Sequence, residues 1–174
     1  MRWLWIDRIV ELIPGRRLVA VKGVSLSEDH LHEHFGADRE GGLPPLPIMP
    51  ASLIIEGMAQ TAGILVGHAG RFREKVILAK VSAVTLTEEA TPGTTLRYTA
   101  EIERLDETGA ATKGLVELIA HAPAGALPAR EIGRIDLMFS HIDRNMAGVE
   151  FPEHNFVFGE SFKTLLRSSG IAVD

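Results

Sequence analysis

Pro47-Ile48-Met49-Pro50-Ala51-Ser52-Leu53-Ile54-Ile55-Glu56-Gly57-Met58-Ala59-Gln60-Thr61-Ala62-Gly63-Ile64-Leu65-Val66 decides the fold. Pro50 suits a first helical turn, where its missing N–H would be unpaired anyway, and no later proline interrupts the run, so residues 50–66 read as one helix. The helix is apolar nearly all round, the pattern of an element buried on every side. Its polar and small members fall on one line, Ser52, Glu56, Gln60, Gly63 and Gly67, at steps of three or four residues. A carboxylate halfway along a buried helix is costly unless it is paired or protonated. Glu56 is therefore the first residue to examine for chemistry, with a satisfied structural glutamate as the competing reading.

Working outward, residues 25–42 are polar and rich in Gly, His and charge, and with Leu43-Pro44-Pro45-Leu46-Pro47 they read as a long loop leading into the helix. Loops of that length in a compact domain usually carry function. Upstream, residues 9–13 and 18–24 flank Pro14-Gly15, which supplies the two central residues of a type II turn and implies a strand pair or a short helix leading into a strand. Downstream, Gly67-His68-Ala69-Gly70 is expected to end the helix, with Arg71, Arg73 and Lys75 placing positive charge near its C-terminal end.

Beyond that point the period changes. Residues 76–89, 94–105, 110–122 and 130–141 are rich in Val, Ile, Leu and Thr and are divided by Pro92-Gly93, Asp106-Glu107-Thr108-Gly109 and Pro123-Ala124-Gly125. Leu96, Tyr98, Ala100 and Ile102 alternate with Arg97, Thr99, Glu101 and Glu103, giving one covered and one wet face. One buried helix followed by hairpin-linked strands packs most simply as an antiparallel sheet curled around that helix, an α+β architecture. Residues 1–142 are expected to form this domain. Residues 143–174 form a C-terminal extension whose Phe151, Phe156, Phe158 and Phe162 are costly to leave in water, so it is expected to pack on the domain.

At 174 residues the chain fits one domain burying about 70% of its unfolded surface. The absence of cysteine removes disulfides, thiolate metal sites and Cys nucleophiles, and it fits a reducing, cytoplasmic setting. Residues 1–8 carry charge where a signal peptide needs its apolar centre, and Glu56 and Gln60 interrupt the only long apolar run, so neither export nor a membrane span is expected. A net charge of −5 argues against a general nucleic-acid binder.

The loop before the helix carries His30, His32 and His34 at alternate positions, which on an extended segment would project to one side at a spacing a divalent metal can use, with Asp29 or Glu33 nearby. A surface polar cluster is the commoner meaning of such a pattern, and no metal is assigned. A second reading sets one of these imidazoles as base against Glu56 as acid, two groups whose environments divide the work. Ser52 as a hydrolytic nucleophile lacks the Gly-x-Ser-x-Gly turn.

His34-Phe35, then Pro47-Ile48-Met49-Pro50-Ala51, then the run from Leu53 to Leu65 resemble the His-Phe-Pro-Gly-x-Pro-x-Met-Pro-Gly-x-Leu-x-x-Glu-Ala-Met-Ala-Gln motif of the (3R)-hydroxyacyl-[acyl carrier protein] dehydratases of fatty acid synthesis. Ile6-Asp7-Arg8-Ile9-Val10-Glu11, Pro14-Gly15-Arg16-Arg17-Leu18-Val19-Ala20 and Pro92-Gly93-Thr94-Thr95-Leu96 extend the resemblance over about residues 2–142, and the extension lies outside it. The resemblance implies a hot-dog fold, a long helix wrapped by a curved antiparallel sheet. It also implies homodimers with sites at the interface, often trimers of dimers, and no metal or organic cofactor. It assigns His34 as catalytic base, Glu56 as catalytic acid from the other subunit, and the Ala51 backbone N–H as the donor polarising the thioester carbonyl. Leu53, Ile54, Met58, Gln60 and Ile64 are candidates for the substrate tunnel, with ordinary core packing as the alternative.

The substrate implied is a 3-hydroxyacyl group on acyl carrier protein, an acidic partner for which Arg71, Arg73, Lys75, Arg130 and Arg134 are docking candidates, with an ordinary solvated surface as the commoner reading of each. A Glu at position 56 resembles the branch that dehydrates without isomerising. This sequence departs from the family pattern in an insertion, Gly36 to Leu46, which keeps His30 and His32 as alternative bases, and in Ala for Gly at position 51. A hot-dog thioesterase or enoyl-CoA hydratase, or a non-catalytic acyl-binding module, is the competing function.

Overall fold

The computed structural model describes residues 3–38, 40–142, 151, 152 and 154–173. Strands β1 (Arg8–Ile13) and β2 (Arg17–Gly23) form the opening hairpin. Its turn is the Pro14-Gly15 pair, with Gly15 at φ +66° and Arg16 N–H donating to the Ile13 carbonyl at 3.0 Å. A short helix α1 (Asp29–Glu33) precedes the long helix α2 (Ala51–Ala69). Then come β3 (Val76–Leu86), β4 (Thr94–Leu105), β5 (Gly109–Ala122), the two-residue β6 (Gly125–Ala126), β7 (Arg130–His141) and helix α3 (Glu160–Ser168).

The strands make one antiparallel sheet in the order β1-β2-β4-β5-β7-β3, with β6 paired to β5. Strands β4, β5 and β7 are successive hairpin neighbours, whereas β3 crosses over to pair with β7. The inner face of the sheet supplies Leu96 and Tyr98 from β4, Val116 and Leu118 from β5, and Ile135 and Leu137 from β7, all buried with Ile54, Met58 and Leu65 of α2 in one core. This is the hot-dog wrap expected from the sequence. The alternation in β4 holds at Leu96, Tyr98 and Ala100, while Thr99 on the opposite face is also buried, set between Val19 and Leu115 of the adjoining strands.

Two sequence expectations are corrected. Residues 25–42 are not continuous loop: Asp29–Glu33 is helical, because Leu31 finds a place in the core and Glu28 accepts the Leu31 N–H at 3.0 Å through its carbonyl. The long helix ends within the expected Gly67-His68-Ala69-Gly70 stretch but runs past the 50–66 reading to Ala69, with Gly70 after it. Gly67 is a packing glycine there: a Cβ on it would stand 2.4 Å from the Phe158 ring.

Residues 143–150, the first part of the expected extension, lie outside the described residues. Of the remainder, Phe158, Leu165 and Leu166 are buried in the core, and Ser169 Oγ accepts the Ile9 N–H at 3.0 Å.

Candidate active site

The start of α2 is built to present free donors. Pro50 flanks the helix with φ −55° and ψ 137°, and its carbonyl accepts the N–H groups of Leu53 at 2.9 Å and Ile54 at 3.3 Å. No described group accepts the N–H of Ala51 or Ser52, no side chain caps the end, and both residues are exposed. These are the orphan donors of a helix start, at the positive end of its dipole. Ala51 has a negative φ, since Arg71 and Phe72 are the only described non-glycine residues with positive values, so alanine is unstrained in place of glycine.

A cavity of 560 Å³ opens at this end and is lined by His34, Phe35, Met49, Ala51, Ser52 and Ile54 among others. Two ties hold the approach to the helix. Met49 N–H donates to the Ala90 carbonyl at 2.8 Å, and Leu46 N–H donates to the Phe35 carbonyl at 3.0 Å. The second tie closes the base of the insertion. Within the insertion Asp38 and Leu43 exchange backbone hydrogen bonds, and Asp38 Oδ1 accepts the N–H groups of Glu40 and Gly41 at 3.0 Å. Asp38, Glu40, Gly41 and Leu43 are thus bonded among themselves, and His34, stacked edge-on to Phe35, faces the helix start.

The other two histidines go elsewhere. His30 and His32 lie within α1 and His34 follows as its C-cap with helical φ and ψ, so the segment is not extended and the one-sided metal spacing does not arise. Among the described residues no group of three His, Asp or Glu side chains is placed to hold a metal ion. His32 is hydrogen-bonded through Nε2 to the Leu26 carbonyl. His30 packs edge-on to Trp5 at 5.1 Å, and burial lowers its pKa below the usual histidine value. Ser52 shares the His34 cavity, but no hydrogen bond joins it to a histidine among the described residues.

Glu56 stands in a different cavity, of 340 Å³, with Gln60, Gly63, Ile64, Phe139 and Phe162 in its walls. Its Oε1 accepts from Trp3 Nε1 at 3.1 Å and from Gln60 Nε2 at 2.9 Å. Gln60 acts as a bracket: its Oε1 accepts the Trp5 N–H at 2.8 Å and its Nε2 donates to the Trp3 carbonyl at 3.1 Å. Trp3 is the site residue that sequence reading passed over. Its only signal was an aromatic pair, Trp3 and Trp5, holding both tryptophans of the chain.

The proposed tunnel residues divide. Ile54 lines the His34 cavity, Gln60 and Ile64 line the Glu56 cavity, and Leu53 lines a third beside Trp5 and His30. Met58 is fully buried with its sulfur against Gly114, a core position. One chain therefore brings His34 and Ala51 together but keeps Glu56 apart from them.

Of the cations expected to meet an acidic partner, Lys75 is buried rather than on the surface. Arg130 and Arg134 are paired with Glu88 and Glu131, at 2.8 Å each. Arg71 and Arg73 are exposed and make no ion pair among the described residues.

A long helix wrapped by one curved antiparallel sheet, with a cavity at the helix start, defines a hot-dog protein. Residues 1–120 match the family described as FabA-like domain. The chain is 36% identical over 118 residues to the 3-hydroxyacyl-[acyl-carrier-protein] dehydratase FabZ of Ruminiclostridium cellulolyticum, covering 66% of this chain and 78% of that one. It is 30% identical over 116 residues to the protein of the same name from Listeria monocytogenes, covering 66% and 74%.

Among solved structures it resembles a thioesterase family protein from Silicibacter pomeroyi, with TM-score 0.55, 16% identity, and 76% and 82% of the two chains covered. It also resembles smu.793 from Streptococcus mutans bound to acetyl CoA, with TM-score 0.54, 10% identity, and 76% and 86% covered. At these identities the structural likeness is one of fold. The chain belongs to the FabA-like domain family.

Proposed function

We propose that this protein eliminates water from a (3R)-3-hydroxyacyl thioester on acyl carrier protein, giving the trans-2-enoyl thioester, as a cytoplasmic step of fatty acid or related acyl-chain synthesis. The observation that carries this reading is the cavity at the start of α2, where His34 and the unaccepted N–H groups of Ala51 and Ser52 face one space. The relatives named for this activity support it.

The chemistry follows from the groups. A thioester carbonyl oxygen placed on the Ala51 N–H gains negative charge as the C2 proton leaves, and such a donor is worth ~3–4 kcal/mol in the transition state. His34 takes the C2 proton, the electron pair forms the C2–C3 double bond, and the C3 hydroxyl leaves as water with a proton from Glu56. Both N–H donors reach Oε1 of Glu56, so Oε2 is the oxygen available to hold that proton. Return of the proton from His34 to Glu56 restores the starting state.

Because His34 and Glu56 face separate cavities in one chain, two copies are proposed to complete each site, the acid coming from the partner. The edge strand β3 suits this pairing. It has a neighbour on one side only and exposes Ile77, Leu78, Val81 and Val84. Trimers of such dimers are the larger assembly proposed, and Arg71 and Arg73 are the proposed contacts for the acidic carrier.

Incubation with 3-hydroxyacyl and crotonyl thioesters tests the function. Conjugated enoyl absorbance from the first and hydration of the second are expected, both lost in His34→Ala and Glu56→Gln. Release of free thiol instead would identify a thioesterase, and no turnover would leave an acyl-binding module.

A further inference from the structure

We propose that residues 157–162 of the C-terminal extension form the end stop of the acyl groove that begins at Glu56, and so set the longest acyl chain the protein accepts. The inference rests on the dehydratase reading above and gives the extension, which lies beyond the family match, a role in it. The cavity beside Glu56 follows one face of α2 past Gln60, Gly63 and Ile64, with Leu78 and Phe139 of the sheet across from them. At Gly63 the missing Cβ leaves a methyl-sized space before Phe139, whose Cε1 would lie 3.5 Å from a Cβ placed there, an ordinary contact with no clash.

One turn farther along α2 the same face is closed. A Cβ on Gly67 would lie 2.4 Å from Phe158 Cζ, so Phe158 occupies the space that the glycine vacates. From Glu56 to Gly67 the helix rises about 16 Å, the run open to a chain laid along it. Its contact surfaces are apolar apart from Glu56 and Gln60 at the near end, matching a substrate polar at C1–C3 and hydrocarbon beyond.

The stop is firmly held. Phe158 packs edge-on against Phe72 at 4.9 Å and Phe162 at 6.1 Å. Asn155 Nδ2 donates to the Phe72 and Glu74 carbonyls at 3.0 and 2.9 Å, while its Oδ1 accepts the Val157 N–H at 3.0 Å. On the other side α3 sinks Leu165 and Leu166 into the core. Phe158 divides the groove from a second cavity lined by Phe72, Asn155 and Lys163, and it is these ring contacts, the Asn155 hydrogen bonds and the anchored α3 that hold it against added methylenes. Phe158 is buried and bound up with Gly67, whereas Phe162 is only partly buried at the cavity wall, so Phe162 is the position at which groove length can be changed.

The test compares kcat/KM for 3-hydroxyacyl thioesters of increasing saturated chain length. Phe162→Ala is expected to raise the long-to-short ratio roughly tenfold, the discrimination a methylene or two in an apolar pocket provides, and Phe162→Trp to lower it. An unchanged ratio in both variants overturns the end stop. If Phe162→Ala does not fold, Phe162→Leu and Phe162→Trp make the same comparison.

Failure of the dehydratase reading shows separately, as wild-type protein that turns over none of the thioesters. In that case pantetheine amides carrying the same chains are titrated against tryptophan fluorescence, Trp3 being in the cavity wall. Phe162→Ala is then expected to bind longer chains than wild type, and equal length limits overturn the proposal.

Discussion

Gly57 and Tyr98 show why a small residue sits at the centre of the long helix. A Cβ on Gly57 would lie 2.6 Å from both Cζ and Oη of Tyr98, so the phenol ring of β4 rests directly on the helix backbone. Intrinsic propensity favours alanine over glycine by about 1 kcal/mol in a helix interior, but overpacking a close core costs about 1–3 kcal/mol, so the clash wins. Gly57→Ala is expected to lower stability in urea unfolding. Among the described residues the Tyr98 hydroxyl has no hydrogen-bond partner in its buried position, and burial raises its pKa above the usual phenol value. An unsatisfied buried hydroxyl costs about 1–3 kcal/mol, so Tyr98→Phe is expected to stabilise the protein, and to soften the cost of Gly57→Ala when the two are combined. A Tyr98→Phe variant less stable than wild type would show that the hydroxyl is satisfied.

At the scale of elements, what could be read from sequence was what neighbours along the chain determine. Pro50 marked the helix start, Pro14-Gly15 the first turn, and alternation the inner face of β4. The helix ended within the Gly67–Gly70 stretch read as its stop, yet ran past Val66, because Gly67 is a packing contact for Phe158, ninety-one residues on, and not a terminator. Helix α1 is too short for periodicity to announce, and its histidines read differently once they lie on a helix. The edge position of β3 was likewise invisible, since its crossover to β7 is a choice of the whole sheet.

That edge gives a prediction. Ile77, Leu78, Val81 and Val84 are each between 36% and 41% exposed, an apolar row that a lone sheet edge would not keep in water. On the proposed pairing through β3, Val81→Asp with Val84→Asp is expected to shift sedimentation toward monomer while leaving the far-UV circular dichroism intact. Activity should fall in parallel if, as proposed, each site draws its acid and its base from two copies.

For the whole molecule, the placement of the candidate groups sets the strongest test. The motif residues His34, Ala51 and Glu56 could be found in the sequence, but no single-chain reading tells that the first two share a cavity which excludes the third. In a two-fold dimer each site would take His34 and Ala51 from one copy and Glu56 from the other, since an isologous interface repeats every contact. His34→Ala and Glu56→Gln homodimers are then each inactive at both sites. Unfolding or dissociating the two together and reassembling them makes heterodimers. In these, one site holds both substitutions and the other holds His34 from the Glu56→Gln chain with Glu56 from the His34→Ala chain. Random pairing of equal amounts gives half heterodimers with one intact site of two, so about a quarter of wild-type activity is expected to return. A mixture as inactive as its components, with exchange of chains verified by a mass tag, would place acid and base in the same copy and require the two cavities to join within it.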